Sequence, residues 1–110
     1  MNRSLIVRPE AEADITDAAV WYDSREPGLG LELISEVESA TSRALKSPDS
    51  FRRVRRNPEV RRVLTRRFPY RVFFIVQPNA IVVFAVLHAA RHDRVWKHPQ
   101  RNQHPPLSFV

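Results

Sequence analysis

The residues best suited to chemistry crowd into one stretch, Val86 to Pro99, which reads VLHAARHDRVWKHP and follows the most apolar run of the chain. It holds His88, Arg91, His92, Arg94, Lys97 and His98 within a dozen positions. Histidines titrate near neutrality and can move protons, while arginine and lysine can hold a phosphate or a carboxylate. The stretch therefore reads either as a proton-transfer cluster or as a cationic grip on a partner. His88 and His92 stand four apart, a spacing that suits two metal ligands on one helical face. However, His88 is expected to close a strand and no third ligand of matching geometry is evident, so neither a metal site nor a cofactor is expected. His88 reads instead as a structural group that hydrogen-bonds at the strand end, and Trp96 as an apolar clamp on the last turn.

A second cationic group lies upstream. Arg52, Arg53, Arg55, Arg56, Arg61, Arg62, Arg66 and Arg67 fall within sixteen positions, and Arg71 follows in Phe68-Pro-Tyr-Arg-Val-Phe-Phe74. Such a patch could track a nucleic-acid backbone, because phosphate contacts dominate that kind of affinity. Glu59 is the one residue within it placed to act as a base, so the pattern favours binding over catalysis. The formal charge of +6 conceals how unevenly the cations are spread. Residues 1–50 carry 5 basic and 10 acidic side chains, net −5, whereas residues 51–110 carry 13 basic and 2 acidic, net +11. A basic face of this kind speeds encounter with a polyanion or an acidic protein, although a merely solvated surface has the same composition.

The elements that must position these groups follow from patterning. Leu5, Ile6 and Val7 mark a short opening strand. Pro9 suits the first turn of a helix, and Glu10, Glu12 and Asp14 place negative charge near its positive end. Ala11, Ile15, Ala18, Ala19 and Tyr22 recur on one helical face until Pro27-Gly28. From Leu29 a second helix runs to Ser47-Pro48, with Leu33, Ile34, Val37, Ala40, Ala44 and Leu45 on one side. The two make an antiparallel hairpin that carries most of the acidic residues and serves as scaffold. Residues 48–59 read as a loop or a frayed strand entry, and Val60 to Arg67 as a strand near a sheet edge. Tyr70 to Val76, a turn at Pro78-Asn79 and Ala80 to Leu87 form a hairpin ending in a buried strand. The fold class is α+β, with the N-terminal strand and the helical hairpin packed on a mainly antiparallel sheet. The other face of the sheet, or one end of it, is expected to stay open, as the place where Arg71 and the 88–98 stretch could meet.

At 110 residues the chain fits one domain, here assigned to residues 1–99, followed by a polar tail at 100–110. There is no cysteine, the opening apolar run is too short for a signal peptide, and no segment approaches the roughly 20 apolar residues of a membrane span. A soluble, cytoplasmic protein is expected, with no membrane partner.

The run Phe68 to Val76, the strand Ile81 to Leu87, the exit His88-Ala-Ala-Arg-His-Asp-Arg-Val-Trp96 and the first helix PEAEADITDAAVWY together resemble the RelE/ParE superfamily of toxins from type II toxin-antitoxin modules, often called plasmid stabilisation proteins. The resemblance spans roughly residues 3 to 98. It implies a growth-arresting toxin, neutralised by a cognate antitoxin from an adjacent gene whose acidic or amphipathic segment wraps the helical hairpin and the sheet. Two activities occur in the superfamily. ParE-like members poison DNA gyrase, and RelE-like members cleave mRNA on the ribosome without metal. Arg71 and Arg91 align with arginines that the nucleases set on phosphate, and equally suit sheet packing or antitoxin binding. Where the nucleases carry a C-terminal tyrosine or histidine, this chain has Lys97 with His98 beside it, and an ordinary lysine is a poor acid at neutral pH. The expectation is a ParE-like toxin, directed at gyrase or at an undetermined target. The alternatives are a ribosome-dependent endoribonuclease, with Arg71 and Arg91 on phosphate and His92 or His98 as proton donor, and a non-toxic remnant that only binds antitoxin.

Overall fold

A computed structural model describes residues 2–90 of the chain. Strand β1 (Ser4–Val7) leads into helices α1 (Pro9–Arg25) and α2 (Leu29–Lys46), a short 3₁₀ turn at Pro48–Ser50, and strands β2 (Arg52–Arg55), β3 (Val60–Leu64), β4 (Tyr70–Gln77) and β5 (Ala80–His88). The strands form one sheet in the order β1-β5-β4-β3-β2, with β1 parallel to β5 and every other pair antiparallel. This is the α+β layering that the patterning predicts, with one strand more, because residues 52–55 pair with β3 as an edge strand.

The helical hairpin is built by its own sequence. Pro9 opens α1 where a missing N–H costs nothing. The turn between the helices needs Gly28 at φ +97°, a conformation that side chains with a Cβ disfavour. Gly30 then lets the helices close, since a Cβ there would lie 2.6 Å from the Ala19 carbonyl oxygen. The Asp23 carboxylate at the end of α1 accepts the N–H groups of Gly28 (3.1 Å) and Gly30 (2.8 Å), so it caps the start of α2 from outside that helix.

The hairpin covers one face of the sheet. Leu33, Val37, Ala40 and Ala44 of α2 and Ala11, Ala18 and Tyr22 of α1 are buried against Val72, Phe74, Ile81, Val83 and Val86. Each large apolar side chain fully buried there contributes about 1.5–3 kcal/mol. Asp14, on the buried side of α1, completes the seam. β1 pairs with β5 only as far as Val83, and the Val86 N–H beyond it donates to the Asp14 carboxylate at 3.0 Å. The helix thus satisfies a strand edge that β1 is too short to reach.

Of the two places expected to stay open, the far face or one end of it, the far face is in part buried. Val60, Phe73, Ala85 and Leu87 are buried there, with Val54, Ile75 and Phe84 packed round them. β5 is apolar at almost every position and so presents apolar side chains to both faces of the sheet.

Candidate functional site

The basic ribbon β2–β3 forms the free end of the sheet, and its pairing sorts the arginines by face. Arg53 pairs with Arg61 and that pair continues to Phe74, on the side of the helices. Arg52 pairs with Arg62, which lies opposite Phe73 on the far face. Leu64 pairs with Arg71, which pairs in turn with Leu87, so Arg71 joins Arg52 and Arg62 on the far face. These three form a diagonal row across β2, β3 and β4, within reach of long side chains on neighbouring strands.

The remaining arginines divide between structure and surface. Arg61 is a clamp: its Nε donates to Glu59 at 2.6 Å, Nη1 donates to the Phe51 carbonyl at 2.7 Å, and Nη2 lies 3.9 Å from the Asp49 carboxylate. Its side chain is only 14% exposed, so it is lost to any external ligand. The Arg66–Arg67 loop is tied to α2 through its main chain, where both N–H groups donate to the Glu36 carboxylate at 3.0 Å. The Arg67 guanidinium pairs with Glu32 and lies over the Phe68 ring. Arg52, Arg53, Arg55, Arg56 and Arg66 are exposed, and Arg62 and Arg71 are half-buried.

Glu59, the one base candidate in the patch, is therefore committed to Arg61. His88 closes β5 and is buried. Its ring stands edge-on to Tyr70 at 5.4 Å, and its Nδ1 accepts the Ala90 N–H at 3.0 Å. Tyr70 in turn packs edge-on against Tyr22, whose phenol burial pushes above its ordinary pKa, an effect partly offset by the neighbouring Tyr70 hydroxyl. Arg91, His92, Lys97 and His98, with Trp96, lie outside the described residues, as do the short helical turn expected near Asp93 and the tail at 100–110. Among the described residues no group of three or more His, Asp or Glu side chains is arranged to hold a metal ion.

One contributor escapes the sequence reading altogether. Arg43 lies in the last turn of α2, where a positive charge suits the helix dipole. In the fold it reaches the end of β3, donates from Nη2 to the Leu64 carbonyl at 3.0 Å, and lines a hollow of about 280 Å³ together with Ser50, Phe51, Arg52, Arg62 and Leu64. Its only signal in the sequence is that it precedes the 3₁₀ turn that starts the basic strand.

Comparison with known proteins agrees with this architecture. No curated protein matches the chain in sequence. Among solved structures, a chain of the chromosomal ParDE toxin-antitoxin system from P. aeruginosa superposes with a TM-score of 0.68, covering 78% of this chain and 95% of its own length at 19% identity, a likeness of fold. The family model of the ParE toxin of the type II toxin-antitoxin system parDE matches residues 5–93, which span nearly all of the described fold and the whole basic ribbon. The chain belongs to the ParE toxin family of type II toxin-antitoxin systems.

Proposed function

We propose that this toxin arrests growth by gripping DNA gyrase through its basic ribbon, acts in the cytoplasm, and is held inactive by a cognate antitoxin encoded beside it. The observation that carries this reading is the commitment of the ionisable groups around the ribbon to structure. Glu59 is held by Arg61, Glu36 holds the 66–67 loop, and His88 is buried against Tyr70. What reaches solvent from β2 is a set of guanidinium groups, which bind anions well and do not shuttle protons at neutral pH. No helix among the described residues is long and apolar enough to cross a membrane.

Induction of the intact chain without its neighbour tests this directly. Growth should stop, purified chain should trap gyrase in cleaved-DNA complexes, and co-expression of the neighbouring gene should restore growth. The second reading, a ribosome-dependent endoribonuclease, draws on the row of Arg52, Arg62 and Arg71 as phosphate contacts, with Arg91 as a further one and His92 or His98 as proton donor. It predicts codon-positioned cuts in translated mRNA by primer extension and no trapped gyrase. Unimpeded growth after induction would overturn both and leave the antitoxin-binding remnant.

A further inference from the structure

The far face of the sheet is buried as deeply as the core beneath the helices, with Phe73 1%, Val60 1% and Ala85 0% exposed. Neither helix contributes to that cluster, since α1 and α2 both pack on the opposite face. Neighbours within a sheet stand about 4.8 Å to the side, so they shield the flanks of a side chain and leave its tip to a layer above. Phe84, beside the bulge opposite Phe73 and Phe74, leans on the Phe73 ring at 6.3 Å and accounts for part of the shielding. The margins of the same face are open by contrast. Ile6, level with Val82, is 47% exposed, and Leu64, level with Arg71, is 52% exposed. Burial is thus confined to a strip along β4 and β5 with Val60 at its side. It holds in a single copy of the chain, so neither a partner protein nor a second copy supplies the missing layer.

We propose that residues 91–110 fold back across this face as an intramolecular strap and seat apolar side chains on Phe73, Ala85 and Leu87. The starting point fits. The Ala89 N–H donates to the Pro69 carbonyl at 2.7 Å, which holds the exit of β5 at the end of the sheet where Leu87 pairs with Arg71. The length fits as well, because the 20 residues from 91 to 110 could extend about 66 Å, whereas β5 and β3 lie about 10 Å apart. Trp96, Leu107, Phe109 and Val110 supply the apolar surface, and an aromatic ring seated on a phenylalanine cluster buries a large area. The segment carries four basic residues and one acidic residue, and the face it covers also holds Arg62 and Arg71, so its attachment is apolar and not ionic. The family match ends at residue 93, so residues 94–110 lie beyond the shared fold and the strap is a property of this chain. Sharing a face with Arg62 and Arg71, the strap sets what can reach them. It rests on neither functional reading, because the burial of the far face is its whole basis.

Nuclear Overhauser spectroscopy on the purified full chain tests the strap. Cross-peaks are expected within one molecule between the side chains of Phe73, Ala85 or Leu87 and those of Trp96 or the Leu107–Val110 end. Combining Trp96→Ser, Leu107→Ser and Phe109→Ser leaves residues 1–90 unaltered. That variant should keep the far-UV circular dichroism of the sheet and helices, show a lower urea midpoint, and bind more of the dye ANS as the far face is uncovered. Random-coil shifts throughout residues 91–110 with no such cross-peaks would overturn the proposal. So would cross-peaks that pass only between differently labelled molecules, or a triple variant with wild-type midpoint and dye binding.

Discussion

The carboxylates of the helical hairpin and the arginines of the β2–β3 ribbon meet opposite fates in one fold. Asp14 satisfies the Val86 N–H, Asp23 caps α2, and Glu36 anchors the loop before β4, so these three carboxylates of the acidic half serve main-chain donors. On the ribbon, Arg61 is enclosed by Glu59 and the Phe51 carbonyl, whereas the side chains of Arg52, Arg53 and Arg56 are exposed. Charge that neither packs nor caps contributes little to stability. On a sheet edge such charge suits a surface that meets a partner, and it also discourages pairing of that edge with another chain. The contrast teaches that net charge is a poor guide here, and that what each ionised group touches is the informative quantity.

The comparison can be broken first at its scaffold. Phe74 is fully buried between the hairpin and Phe51, and Phe74→Ala should cost about 3–5 kcal/mol in chemical denaturation. A smaller loss would mean that the hairpin side is less tightly packed than the burial indicates. Asp14→Ala should cost about 1–3 kcal/mol by orphaning the buried Val86 N–H, and Asp14→Asn should recover part of it, because an amide oxygen still accepts that bond. Within the ribbon, Arg61→Ala should lose about 1–3 kcal/mol and Arg53→Ala should stay within about 0.5 kcal/mol, as measured by urea midpoints. Equal effects would erase the distinction between clamp and grip.

The smallest effect expected is alkaline. The Tyr22 phenol is raised by burial, so both states hold it neutral below its unfolded value near 10, and its contribution is then fully present. As pH rises through the higher folded value, the unfolded chain has already ionised and the advantage is lost. Urea midpoints should therefore fall above about pH 10, and Tyr22→Phe should flatten that decline. An unchanged slope in the variant would assign the alkaline loss to other groups.

The sequence discloses the scaffold more readily than the site, for physical reasons. The helices show a clean apolar stripe and proline or glycine at their ends, and β4–β5 is a dense β-branched and aromatic run, so local pattern and fold agree. Strand β2 is obscured because Val54 is the only apolar residue between Phe51 and Val60, and its pairing with β3 is a tertiary event. Glu10, Glu12 and Asp14 look alike as acids near the start of α1, yet only Asp14 faces the sheet and serves β5. Arg61 and Arg62 are neighbours in an undivided cationic run, and strand alternation sends one into a cage and the other to the far face. Arg71 is a candidate through the family resemblance alone, and its pairing with Leu64 and Leu87 adds the face of the sheet on which it lies.

In the proposed function, the exposed arginines of β2 and Arg56 just after it grip a target and do not hold the fold together. Combining Arg52→Gln, Arg53→Gln, Arg55→Gln and Arg56→Gln and measuring growth arrest beside urea stability tests it most directly. Each exposed site should change stability by no more than about 0.5 kcal/mol, so the variant should fold and yet fail to arrest growth. A folded variant that arrests growth as strongly as the wild-type chain would contradict the account.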